Sequence, residues 1–208
     1  MKPWIEKHFG KGWMALVYLF LYMPLIFMVV FSFNSTRQDA NFTGFSLRWY
    51  EALTRDTKIV EGFWLSIQVA TVTGVLSAVL GTFAAFVLVR YRRFLGRTVF
   101  SGMVNAPLVM PEVVIGLSLL LLMVGAQNLM GWPERGMLTI ILGHTLLGMA
   151  YGMVVVQSRL LEVNRSLEEA AMDLGAKPYE VFFLVTLPNI AQGILAAFLL
   201  SFTLSFDD

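Results

Sequence analysis

The chain has 208 residues, 57% hydrophobic and 14% charged, with no cysteine and a net charge of +1. Soluble domains carry about 25% charged residues, so this composition, with a mean hydropathy of +0.71, points to a membrane protein. The small net charge excludes a broad attraction to nucleic acid, and the missing thiols exclude disulfides, thiolate metal sites and a cysteine nucleophile.

A helix rising 1.5 Å per residue needs roughly 20 apolar residues to cross about 30 Å of hydrocarbon. Five segments qualify: 12–33, 62–89, 99–124, 137–156 and 190–206. Backbone groups cannot stay unpaired in lipid, and no ten-residue alternating pattern exists, so the predicted fold is an all-α bundle of transmembrane helices in a single domain, 1–208. Lys2, Lys7 and Lys11 precede the first run, as in a signal peptide. From Trp13 to Phe31 that run is longer than the ~7–15 residues of a cleavable core, and no small-x-small site follows it. It reads as a retained first span.

The 34–61 connection balances four basic residues against four acidic ones and belongs outside. Within it, Leu47-Arg48-Trp49-Tyr50 has two readings: interfacial anchoring by Trp49 and Tyr50, or an aromatic lip that stacks on an entering alkylammonium chain. The second span carries Gly74, Ser77, Gly81 and Ala85 on one face. Such a stripe serves close helix packing, or else lines a translocation path. Arg90, Arg92, Arg93 and Arg97 then crowd one short loop without an acid, which places that loop in the cytoplasm. The N-terminus, two crossings away, falls on the same side.

The third span contains Pro107 and Pro111, so a local bend or unwinding is predicted there. Glu112 follows, near the centre of that span, about 18 Å from its start. A charge at such depth costs on the order of 2.5–3.5 kcal/mol on insertion scales. It is read either as a protonated acid bonded to a neighbouring helix, near Asn105 or His144, or as an anionic lining for a cationic solute. The two histidines, His8 and His144, lie far apart in the sequence and do not suggest a metal centre.

Segment 125–136 carries only Glu134 and Arg135 and belongs outside. Alternation puts the polar 157–189 insert in the cytoplasm, although acids outnumber bases there. Ser166 and Glu169 fit a capping box. Leu167, Ala170, Ala171 and Leu174 form one stripe of a short helix, Gly175 suits a left-handed turn, and Pro178 suits the start of a second helix. The insert is therefore a helical elbow in water, either an ordinary loop or a docking surface. The last apolar segment runs directly into Asp207 and Asp208; these are a solvated terminus or, with one of them facing inward, part of a pathway. Two acids straight after a span suggest a longer natural chain with a further span. A G-x-x-x-x-G-K-[ST] loop is absent, as are H-E-x-x-H and G-x-S-x-G, so neither that mode of ATP binding nor the commonest hydrolase chemistries apply.

Glu169-Ala170-Ala171, three residues, Gly175, nine residues and Val185-Thr186-Leu187-Pro188 closely resemble the EAA signature of ABC-importer permeases, with Val185 the one departure. Asn34-Ser35 after the first span, Arg48-Trp49-Tyr50, Ala106 to Glu112, Gly116 to Leu120 and Leu204 to Asp208 are similar, in the same order, to polyamine-importer permeases of the putrescine and spermidine group. This resemblance implies six spans, a bacterial inner-membrane location and transport by alternating access. It implies a second homologous permease subunit, a periplasmic polyamine-binding protein and an ATPase dimer that holds the ATP and magnesium, with no cofactor in this chain. Glu169, Ala170, Ala171 and Gly175 are then the positions that dock the ATPase. Glu112, Asp207, Asp208, Trp49 and Tyr50 are candidate pathway residues. A permease for another solute such as a metal cation, or a secondary transporter or channel, stays open as the alternative.

Overall fold

The computed structural model describes residues 2–36, 41–91 and 93–207, with side chains from residue 9 onward. The described residues are helical apart from turns and one antiparallel bridge, Asn34 to Phe45, as the sequence predicts. Among the described residues, five helical stretches are long and apolar enough to cross a membrane: Phe9–Ser32, Thr57–Arg90, Glu112–Met130, Met137–Glu162 and Pro178–Asp207.

The chain divides into two compact units, 1–63 and 64–208. In the first, α1 (Lys2–Ser32) carries the initial apolar run, and none of its span is buried. The chain after it folds around Asn34, which is 2% exposed. Its Oδ1 accepts from the Thr43 amide at 2.8 Å and the Thr43 hydroxyl at 2.9 Å, while its Nδ2 donates to the Asn41 carbonyl at 3.0 Å. Next comes α2 (Arg48–Arg55). Asp56 then caps α3 (Thr57–Arg90) by accepting from the Lys58 amide at 3.0 Å. This cap starts the helix five residues before the apolar boundary read from hydropathy.

In the second unit, α3 packs with α6 (Met137–Glu162) and α9 (Leu187–Asp207). The small residues of α3 make this possible. A Cβ on Gly81 would lie 2.8 Å from the Met153 amide nitrogen, and one on Gly74 would lie 3.2 Å from the Phe198 carbonyl oxygen. Ser77 is fully buried and donates to the Thr145 carbonyl at 3.4 Å, while Ser201 of α9 donates to the Gly148 carbonyl at 3.1 Å. The stripe on α3 is therefore a packing face, the first of its two readings. Ala85, Met153, Val156, Leu160, Ile190 and Ala197 complete the apolar core beside it.

The expected third span, 99–124, is not one continuous helix. It divides into α4 (Arg97–Val109) and α5 (Glu112–Met130). Pro107 stays inside α4, and the break falls at Met110, whose ψ of 142° is extended. Proline disfavours the helical region for the residue before it, and Met110 precedes Pro111. The second proline thus breaks the helix, whereas the first is tolerated.

Beyond α6 the insert forms α7 (Arg165–Asp173) and α8 (Pro178–Val181), followed by a π-helical turn, Phe182–Thr186, that leads into α9. Helix therefore begins at 178, well ahead of the apolar start at 190.

Candidate functional site

Glu112, His144, Leu147, Gly148, Tyr151, Leu204, Ser205 and Asp207 line one cavity of about 180 Å³. Three elements supply them: the first residue of α5, the middle of α6 and the last turn of α9. The α4–α5 break changes the setting of Glu112 from the middle of a span to the first turn of a helix. There the positive end of the helix dipole favours a carboxylate and lowers its cost at depth. Its cavity partners on α6 lie seven to fourteen residues into that helix, or about 10–21 Å at 1.5 Å per residue, so Glu112 sits beside the middle of α6.

Neither suggested partner bonds Glu112. Asn105 donates to the Ser101 carbonyl of its own helix at 2.7 Å, and His144 Nδ1 meets Ser205 Oγ at 2.8 Å. Two carboxylates, from residues 95 positions apart, thus line one cavity with a phenol and an imidazole. That arrangement suits a cation. Among the described residues, no three His, Asp or Glu side chains group as metal ligands do. Asp208 lies outside the described residues. His144, Tyr151 and Ser205 were not singled out as site residues, because each is unremarkable within its own apolar segment.

The elbow has the predicted outline with different details. Asn164, not Ser166, is the N-cap of α7: its Oδ1 accepts from the Ser166 amide at 3.0 Å. Asparagine caps at least as well as serine and comes two residues after α6 ends. Glu169 makes no capping box; it pairs with Arg165 at 3.3 Å, one turn back. At the other end the helix closes as a Schellman turn. Gly175, at φ +90°, donates its amide to the Met172 carbonyl at 2.9 Å, and Ala176 donates to Ala171 at 3.1 Å. Leu167, Ala170 and Leu174 are exposed and Ala171 is half-buried, with Leu174 at 90%. The helix is inverted relative to a soluble one, with its apolar side turned outward.

The inward side carries an acid that sequence reasoning overlooked. Glu168 is 7% exposed. Its Oε1 accepts from Arg90 Nη2 at 2.8 Å, Arg90 Nε at 3.1 Å and Thr186 Oγ1 at 2.8 Å. Arg90 ends α3 and Thr186 ends the π-helical turn. Separations of 78 and 18 residues hide this cluster from any local pattern. The contact also sets the arginine-rich loop and the elbow on the same side of the membrane, independently of counting spans.

In the first unit, Trp49 and Tyr50 line an open groove with Phe31, Ser32, Thr36 and Leu53. Both aromatics have local partners. Trp49 Nε1 donates to the Asn34 carbonyl at 2.9 Å, and the Arg48 guanidinium sits 5.0 Å from its ring centre. Tyr50 stacks on Phe33 at 5.3 Å, and its hydroxyl meets Ser32 Oγ at 2.7 Å. One cation already occupies a face of Trp49, which leaves less ring for a passing solute.

A family profile described as binding-protein-dependent transport system inner membrane component matches residues 77–208. The putrescine transport system permease protein PotI of Escherichia coli (strain K12) is 50% identical over 196 residues, covering 94% of this chain and 70% of the relative. The spermidine/putrescine transport system permease protein PotC of the same strain is 33% identical over 197 residues, covering 95% of this chain and 72% of the relative. A crystal structure of an amino acid ABC transporter superposes with a TM-score of 0.55 at 18% identity, covering 82% of this chain and 74% of that one; the likeness is one of fold.

Proposed function

The chain belongs to the inner-membrane components of binding-protein-dependent transport systems, and from that premise we propose that it is the permease subunit of an ATP-driven importer whose cargo is a polyamine, putrescine foremost. The observation that carries the cargo assignment is the convergence of Glu112 and Asp207 on one cavity. A diamine carries an ammonium group at each end and methylenes between. Two carboxylates attract the ends through a medium less screening than water, while Leu147, Leu204 and the Tyr151 ring cover the spacer. Both similar permeases named above are polyamine transporters by description, which supports the same class.

Transport in this reading is alternating access. A periplasmic binding protein delivers the solute, and a pathway shared with a second permease opens to one side at a time. Trp49 and Tyr50 are proposed solute contacts on the external side. An ATPase dimer binds ATP and magnesium and supplies the force. It docks on the outward apolar side of α7, where Ala170, Ala171 and Gly175 allow close approach and Glu169 supplies a polar contact. Elbow and N-terminus both face the cytoplasm.

The test is reconstitution of the assembled complex in liposomes with labelled putrescine. ATP-dependent uptake that unlabelled putrescine and spermidine suppress, and that amino acids and divalent cations do not, is the expected result. Uptake suppressed by a divalent cation and indifferent to diamines overturns the cargo assignment.

A further inference from the structure

We propose that Arg90, Glu168 and Thr186 form a rigid joint that transmits movement of the elbow into α3 and α9, staying closed throughout the transport cycle. The proposal rests on the reading that an ATPase docks on α7, and it adds how force leaves that helix.

The apolar face of α7 points away from the bundle, so hydrophobic burial of its own side chains holds it weakly. What holds it is Glu168, a single inward carboxylate with three donors on one oxygen. The guanidinium reaches it with two nitrogens, which fixes direction as well as distance. Burying such a pair costs desolvation that apolar residues of similar volume avoid. Its use here is geometric: it ties the last residue of α3 and the last residue before α9 to the same point on the elbow.

The π-helical turn supports the joint. Phe182 and Thr186, one turn apart within it, are both buried. Phe182 packs edge-to-face on Phe86 at 4.8 Å and lies 6.0 Å from Phe83, both on α3. The inner ends of α3 and α9 are thus linked twice, once through the carboxylate and once through aromatic rings. π-Helical turns occur mostly as single turns and frequently at functional sites. Pushing α7 therefore moves two spans together, and the far end of α9 carries Ser205 and Asp207 into the cavity described above.

Two measurements test this on variants that keep side-chain volume, Glu168→Gln and Thr186→Val, with the paired reversal Arg90→Glu/Glu168→Arg. In the reconstituted complex, both single variants should still capture the ATPase and hydrolyse ATP, while solute accumulated per ATP falls about 10-fold, the size of one charge-assisted hydrogen bond. The paired reversal should recover part of that ratio. A purely structural role would lower the yield of complex and leave uptake per ATP unchanged, and that result overturns the joint. So does a reversal no better than Glu168→Arg alone. If the unaltered complex fails to capture an ATPase, the functional reading falls instead. The joint is then decided on the purified chain by hydrogen exchange. Amides of 165–175 and 86–91 should both exchange faster in Glu168→Gln while those of 145–156 do not; unchanged exchange at 86–91 overturns it.

Discussion

At the scale of single residues, function turns on where carboxylates end up. Glu112 is distinctive in the sequence because an acid in an apolar segment is costly, and it also closes the Ala106 to Glu112 stretch that resembles polyamine permeases. Glu168 was invisible because the insert is polar and neighbouring Glu169 completes the better-known signature. The structure reverses their surroundings: Glu169 faces solvent and pairs with Arg165, whereas Glu168 is buried. Sequence shows which residue types are present, but burial depends on partners 18 and 78 residues away. If Glu112 and Asp207 hold the two ends of a diamine, Glu112→Gln and Asp207→Asn should each lower the uptake efficiency for putrescine by about 10–100-fold, the range for a lost charge-assisted hydrogen bond. Neither should change the amount of complex recovered. Initial uptake rates against putrescine concentration measure this, and an unchanged rate for both removes the cavity from the pathway.

At the scale of elements, spans were legible from hydropathy because lipid imposes one requirement on every residue. Their ends were less so. Asp56, Asn164 and Pro111 each act through backbone geometry that hydropathy does not report: the first two cap helices early, and the third pushes Met110 out of the helical region. Turn chemistry was legible, since Gly175 does adopt the left-handed conformation expected of it. Nothing lies within 4 Å of a Cβ built there, so Gly175→Ala should cost only backbone strain, about 1–2 kcal/mol. Gly175→Pro forbids that φ and also removes the amide bonded to Met172, so it should disorder the elbow and release the ATPase. Co-purification separates the two: the alanine variant should retain the ATPase and the proline variant should lose it. On the bundle side, Gly81→Ala forces a Cβ against the Met153 backbone, an overpacking that typically costs 1–3 kcal/mol. A lowered unfolding temperature in detergent is expected, and an unchanged one contradicts the close α3–α6 approach.

At the scale of the whole molecule, the decisive quantity is which side of the membrane each loop occupies. Charge alone leaves the elbow ambiguous, because acids outnumber bases across 157–189. The Arg90–Glu168 ion pair ties the elbow to the end of α3: a side chain ending α3 cannot reach the elbow unless both lie at the same face. Arg93 and Arg97 follow Arg90 closely in the sequence, and short basic loops favour the cytoplasm, which is the side the proposed function requires of the elbow. The absence of cysteine makes this directly measurable, because any introduced thiol is the sole one in the chain. Leu95 and Leu174 are both fully or almost fully exposed, and Glu134 is exposed in the loop at the opposite ends of α5 and α6. In intact cells with a permeable outer membrane, an impermeant maleimide should label Glu134→Cys and leave Leu95→Cys and Leu174→Cys untouched. In inside-out vesicles stripped of the ATPase the pattern should invert. Labelling of Leu174→Cys from the periplasmic side would separate the elbow from any nucleotide-driven motor, and labelling of Leu95→Cys and Leu174→Cys from opposite sides would contradict the ion pair itself.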